Sequence, residues 1–328
     1  MRITMPYGDT VCDAEIAWGK CLGTLDIRDM PELPDIEGAV REALEHPIGL
    51  DRPLAALVSP GETVAILVSD AFRHTGVDRT LPVILAVLNK AGIPDSAITI
   101  VFATGTHRPP TLDEQARILG PELDARMTKR IVHDPENMFN FDYVGKTSRG
   151  TRVELNKAVM AHDRIVATGA VVLHYFAGYG GGRKSVVPGI ASAETIAHNH
   201  AMNLDPHEDR LNPNVRIGAL EGNPVAEDML EAARFAQVDC IVNTVLNRQG
   251  QIAGVFAGEL DAAHRAAAQF ARGLFAVDIK ERADLVIASA GSAKNFVQCH
   301  KALFNAYQAV FPAGRIVFVA QCPEGLGG

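Results

Sequence analysis

Apolar residues in this chain follow two rhythms. Short unbroken runs at Thr63–Ser69, Ala97–Ala103 and Arg164–Thr168 have no polar alternation, the pattern of strands buried on both faces in a parallel sheet. Between and after them, apolar positions recur at helical intervals. Pro34–Glu45 and Leu81–Lys90 read as helices, and Leu260–Phe275 as an alanine-rich one. Thr111 with Glu114 spells a capping box, Ser192 an N-cap for a helix running toward His200, and Asn223-Pro224 a helix start. Turn residues at Ser148–Gly150 and Asn247–Gly250 predict hairpins, joining Phe141–Val144 to Thr151–Leu155 and Cys240–Leu246 to Gln251–Phe256. Weak alternation around Tyr7-Gly8-Asp9 predicts short strands in the first thirty residues, and Val171–His174 extends the run before it. From Asp284 a new unit opens, with strand Leu285–Ser289, helix Ala293–Val310 and strand Arg315–Ala320.

This order predicts an α/β protein. An N-terminal α/β domain over residues 1–280, with a largely parallel sheet plus short hairpins, is followed by the start of a second, incomplete α/β domain over 281–328. A chain of 328 residues exceeds one average core, which agrees with two domains. A net charge of −8 without a long basic run argues against nucleic acid as the main partner. The five cysteines are widely spaced with no Cys-x-x-Cys pair, so neither a disulfide framework nor a zinc ribbon is expected, and a reducing cytoplasm suits them. The N-terminus lacks a signal-peptide core, and no run of about eighteen apolar residues offers a membrane span.

Candidate chemistry gathers after the predicted strands, where open α/β sheets bind ligands. The segments are Ser69-Asp70-Ala71-Phe72-Arg73-His74, Gly105-Thr106-His107-Arg108, the stretch His174–His200, and Gly291–Lys301. The third is the richest. After His174 comes Gly178-Tyr-Gly-Gly-Gly-Arg-Lys184-Ser185, then His198 and His200. Glycines allow positive φ and close approach to a ligand, and a lysine among them can hold phosphate or bond covalently to a cofactor. The loop nearly spells a P-loop, but Arg183 stands where glycine must precede the lysine. An ATP-binding enzyme, a structural glycine turn and a cofactor site are the readings open at this point. His198 and His200, two apart, diverge on a helix and do not readily share one metal.

Together these segments resemble the nickel-dependent lactate racemase family. The resemblance is carried by Ser69-Asp-Ala-Phe-Arg73, Gly105-Thr-His107-Arg-Pro, His174, Gly-Gly-Gly-Arg-Lys184-Ser, Pro188-Gly-Ile-Ala-Ser192, Glu194-Thr-Ile, Asn199-His200 and Gln298-x-x-Lys301. It implies a racemase or epimerase of a small 2-hydroxy acid that removes and returns hydride through a nickel-pincer nucleotide. That cofactor, of the pyridinium-3,5-bisthiocarboxylic acid mononucleotide type, is made by dedicated biosynthetic enzymes. By motif match Lys184 attaches it, with Asp70, Gly181, Gly182, Arg183 and Ser185 around it, and His200 completes the nickel shell. His107 and His174 are the implied acid–base pair, and Arg73, Gln298 and Lys301 the implied substrate grip. Phe72 and His74, beside Arg73, are candidates for tuning substrate choice. The family resemblance makes residues 1–280 the cofactor-binding catalytic domain and 281–328 part of a second domain that completes the substrate pocket and continues further. A non-catalytic relative that binds a nucleotide-like ligand is the alternative.

Overall fold

The computed structural model describes residues 1–127 and 129–327. The chain divides into two compact units, Arg28–Ala276, and Met1–Ile27 together with the segment from Val277 onward.

The larger unit is built on a six-stranded sheet. Its order is Ile252–Gly258, Cys240–Leu246, Arg164–Ala170, Val64–Ser69, Ile98–Ala103, Arg130–Val132. All pairings are parallel except that between Cys240–Leu246 and Ile252–Gly258, the predicted hairpin. The unbroken apolar runs are explained by layers on both faces. Val64, Ile66, Val68, Ile100 and Phe102 point to one core, which Ile36–Glu45 and Val77–Lys90 close with Val40, Leu44, Leu81 and Leu85. Ala65, Leu67, Val101, Ile165 and Ala167 point to the other, closed in part by Ile196, Val225 and Met229. Successive residues thus enter opposite cores, and the buried polar exceptions are satisfied locally, Thr168 Oγ1 donating to Leu67 O and Thr99 bonding His162. No helix among the described residues is long and apolar enough to cross a membrane.

Chain order explains where ligands can reach this sheet. From Val64–Ser69 the chain steps outward through Ile98–Ala103 to Arg130–Val132, then returns to place Arg164–Ala170 on the other side. The neighbours Val64–Ser69 and Arg164–Ala170 therefore straddle a switch in winding direction, and open α/β sheets bind ligands beyond the carboxyl ends of such a pair. Asp70 follows one strand, His174 the other, and His107 the adjacent Ile98–Ala103.

The smaller unit joins Ala283–Ser289 to Val310–Val319 in parallel through the helix Phe296–Ala309. It also contains the hairpin Arg2–Tyr7 with Thr10–Glu15. The sequence pattern put that hairpin in the first domain. Instead it pairs beside the later strand, where Gly8 N–H donates to Gly291 O (3.0 Å) and Ser289 Oγ donates to Pro6 O. That pairing spans most of the chain, so no local periodicity announces it. The helix begins at Phe296 rather than Ala293 because Asn295 caps it, its side chain accepting from Gln298 N–H.

Candidate functional site

Asp70 ends the strand Val64–Ser69 and is 2% exposed. One carboxylate oxygen accepts from Phe72 N–H (2.8 Å), and the other lies 2.7 Å from His107 Nδ1. The carboxylate can only accept, so Nδ1 carries the ring proton and Nε2 presents its lone pair. Phe72 packs against this imidazole at 4.9 Å between ring centroids, and Arg108, paired with Glu114 through two hydrogen bonds, lies over Phe72. Backbone and side chain of Asp70 together thus fix the turn that carries Arg73, whose N–H donates to Asp70 O (3.3 Å).

His174 closes a two-residue strand, Leu173–His174, that pairs with Gly178–Tyr179. The backbone N–H groups of Phe176 and Ala177 donate to its Nδ1, 3.2 Å each. Its ring proton therefore lies on Nε2, 3.4 Å from Lys184 Nζ, and can be donated to that nitrogen only when the amine is unprotonated. The tautomer is opposite to that of His107. Tyr175 stacks on the His174 ring (5.1 Å, 14° between planes). Burial pushes the Tyr175 hydroxyl above its ordinary pKa while the nearby charge of Arg73 pulls it down. Tyr175, beside His174, thus lies within electrostatic reach of Arg73.

The glycine loop is held by protein. Gly182–Ser185 forms one 3-10 turn and opens no long helix, so the near-P-loop lacks the helix N-terminus on which a P-loop holds phosphate. Gly181 and Gly182 have positive φ, and a Cβ there would collide with Asn243 Oδ1 (2.7 Å) and the His264 ring (2.6 Å) respectively. Glycine is thus needed for contact with protein at both positions. Arg183, expected to line the cofactor, is instead turned inward. It is 2% exposed, Nη1 lies 3.0 Å from His264 Nδ1, and Nη2 donates to Ala177 O (3.0 Å). Ser185 Oγ likewise faces the sheet and donates to Thr168 O (2.8 Å).

His200 lies in the last turn of the helix Ala193–Ala201, which Ser192 caps through Thr195 N–H. Its Nδ1 donates to Ile196 O (3.0 Å), leaving the Nε2 lone pair as its ligand atom. Burial first, then the charge of Lys184, pushes its pKa down to about 4, so it is neutral at pH 7 and able to bind a metal. Phe176 meets the ring edge-on at 6.2 Å. A buried knot anchors the helix, in which Asp228 accepts from Asn199 Nδ2 (2.9 Å), Thr147 Oγ1 (2.5 Å) and Thr151 Oγ1 (2.8 Å). His198 parts from His200 and lines a surface cavity of about 320 Å³ with Tyr143, Lys146, Gly150, Arg152 and Glu194.

Asp70, Arg73 and His107 are linked by direct contacts, as are His174, Lys184 and, through Phe176, His200, and Arg73 lies within electrostatic reach of Tyr175 beside His174. Gln298 and Lys301 belong to the smaller unit, where they face one another on the helix Phe296–Ala309 and Lys301 Nζ donates to Gln298 Oε1 (2.5 Å). Sequence reasoning passed over Tyr175, Phe176, Asn243 and His264. Tyr175 and Phe176 directly follow His174 and could have been noticed, whereas Asn243 and His264 lie far along the chain and carry no local signal.

Comparison with known proteins bears on the family and the fold. Residues 7–211 match the family model for the lactate racemase N-terminal domain. The whole chain is 36% identical to a lactate racemase of Thermoanaerobacterium thermosaccharolyticum, covering 76% of that protein. A lactate racemase of Lactiplantibacillus plantarum is 33% identical over 88% of the chain and 67% of its own length. The solved lactate racemase apoprotein from T. thermosaccharolyticum superposes over all of the chain and 76% of its own, with a TM-score of 0.86 at 33% identity. A Thermotoga maritima crystal structure, 19% identical with a TM-score of 0.64 over 79% of the chain and 64% of its own, shares the fold.

Proposed function

The chain belongs to the lactate racemase family, and from that premise we propose that it is an isomerase that racemises a small 2-hydroxy acid, lactate first among the candidates. The observation that carries this reading is the pair of histidines held in opposite tautomers, one against Asp70 and one against Lys184.

The residues fit the nickel-pincer nucleotide of the family. Among the described residues no three His, Cys, Asp or Glu side chains gather as a metal site. A group that brings its own sulfur and carbon donors needs only one imidazole, and the Nε2 of His200 supplies it. Lys184, 9% exposed beside His174, offers the amine for attachment. When bound, this cofactor supplies the reversible hydride acceptor. Of the loop residues expected to surround it, Gly181, Gly182, Arg183 and Ser185 support it through the backbone they shape, since their side chains or missing Cβ atoms face protein.

The Cα–H of a 2-hydroxy carboxylate is a poor acid, because the neighbouring carboxylate already carries negative charge. Hydride removal avoids that barrier, provided the hydroxyl proton leaves together with it. His107 Nε2 is ready to accept that proton, with Asp70 facing the positive charge that develops on the ring. His174 presents Nε2–H to oxygen on the second face, and acid and base roles exchange when the enantiomer reverses. Arg73 is the proposed carboxylate clamp of the larger unit. Phe72 and Tyr175, packed on the two histidines, would limit the side chain the substrate carries. A cytoplasmic location and dependence on cofactor-making enzymes complete the reading.

The test is co-expression with those enzymes, followed by intact-mass measurement and chiral analysis of enantiopure 2-hydroxy acids. The expected result is an adduct lost in Lys184→Ala together with interconversion of enantiomers. Racemisation by Lys184→Ala, or an adduct-bearing protein that isomerises none of the acids, would refute the proposal.

A further inference from the structure

The geometry assigns to His264 the role of a positioning residue that presents Lys184, through Arg183 and the carbonyl of Gly180. This rests on Lys184 being the attachment point proposed above.

His264 lies in the first turn of the helix Ala262–Phe275, more than 60 residues beyond the glycine loop, and is 0% exposed. It makes two polar contacts, and each determines the other. A guanidinium only donates, so the Nδ1 of His264, 3.0 Å from Arg183 Nη1, must be the acceptor. The ring proton is then on Nε2, which donates to Gly180 O at 2.9 Å. Arg183 continues the chain of contacts by donating from Nη2 to Ala177 O (3.0 Å). Asn243 Oδ1 accepts from Gly182 N–H (2.9 Å), and the His264 ring fills the space above the Gly182 Cα.

The stretch before Lys184 is therefore held at Ala177, Gly180, Gly182 and Arg183, and Ser185 is held just after it. Three consecutive glycines would otherwise lose much conformational freedom on ordering. Here they are ordered by protein contacts before any ligand arrives. The arrangement also asks much of the interior. Arg183 is buried, its Nε finds no hydrogen-bond partner among the described residues, and its guanidinium is held by an imidazole and a carbonyl. A buried cation that no carboxylate among the described residues hydrogen-bonds is costly even with Asp261 near enough to attract it, and fixing the residue next to Lys184 is the role this geometry leaves for it. Neutral imidazole is essential to the contact, and burial, followed by the Arg183 charge, pushes the His264 pKa down to about 3.

The test compares full-length wild type, His264→Leu and His264→Gln. Leucine keeps the apolar volume and removes both polar contacts, while a glutamine amide can accept from Arg183 and donate to Gly180. Amide hydrogen exchange of residues 178–185 in the unloaded protein is the first readout. The Lys184 adduct after co-expression with the cofactor-making enzymes is the second. His264→Leu should speed exchange in this loop by roughly tenfold or more without changing the strands Val64–Ser69 and Ile98–Ala103, and should lower adduct occupancy several-fold. His264→Gln should restore both. Wild-type loop exchange in His264→Leu overturns the proposal, as does failure of His264→Gln to restore the loop. If His264→Leu does not fold, Arg183→Met removes the same contact from the other side, and unchanged loop exchange there is the overturning result. Absence of an adduct in the wild type would reject the functional reading alone, because hydrogen exchange reads the loop without cofactor.

Discussion

Replacing Asp70 by asparagine should disable His107 while leaving the surrounding turn in place. Asn Oδ1 can still accept from Phe72 N–H, and the backbone contact from Arg73 is untouched. The amide group would take the place of the oxygen 2.7 Å from His107 Nδ1. It donates where the carboxylate accepted, so the imidazole moves its proton to Nε2 and loses the lone pair proposed to take the substrate's proton. Returning the ring to its useful tautomer sets donor against donor in a buried site, a cost of roughly 1–3 kcal/mol, or about five- to 150-fold in rate. Loss of the charge opposite the developing imidazolium adds to this, and the same substitution in a serine-protease triad lowers kcat by about 10⁴. A fall in kcat of between about tenfold and 10⁴-fold is expected, with a smaller change in KM. The assay is the initial rate from each enantiomer at saturation, followed by chiral chromatography and normalised to the Lys184 adduct. A rate within threefold of wild type at equal adduct would refute the tautomer argument.

Three further outcomes follow from buried polar groups. Asp228→Ala leaves Thr147, Thr151 and Asn199 with donors facing a void, and should reduce unfolding free energy by about 2–4 kcal/mol; a urea titration within 0.5 kcal/mol of wild type, roughly the effect of a surface change, would contradict it. Burial lowers the pKa of His133 to about 4 and of His264 to about 3 from the ordinary 6.5. The unfolded chain therefore binds more protons than the folded one below pH 6.5, and stability is lost as pH falls through that value toward the folded pKa values. The loss is roughly 2 kcal/mol for each histidine between pH 8 and pH 5, and equal denaturation midpoints at those two pH values would exclude it. Cys299 and Cys322 have sulfurs 3.3 Å apart as free thiols, so a mild thiol oxidant such as diamide should couple them within one chain; a peptide map after oxidation that shows both still as thiols would refute that proximity.

Much of the architecture was readable from pattern alone, and the reason differs from element to element. Thr63–Ser69 and Ala97–Ala103 were clear because a strand covered on both faces is almost wholly apolar. The helix after Ser192 and the one after Thr111 were marked by caps whose donors the structure satisfies as expected. The edge strand Arg130–Val132 was missed because it is three residues long, all partly exposed. The candidate residues were legible as motifs: Arg73 and His107 stand just after strands, His174 at the end of one, Lys184 in the glycine turn and His200 in a capped helix.

What local order determined, then, is which residues stand at strand ends and helix caps, because hydrogen bonding and burial of the backbone are settled within a few residues. Which of those ends meet is a matter of winding direction. The switch beside Val64–Ser69 sets Asp70 and His174 on neighbouring strands, although about a hundred residues separate them. Tautomers and side-chain direction were decided later still. His107 and His174 are the same residue type, and only the partner at Nδ1, a carboxylate for one and two backbone amides for the other, sets them apart. Arg183 looked like a ligand-binding cation beside glycines until His264, brought from a distant helix, gave its guanidinium an acceptor in the interior.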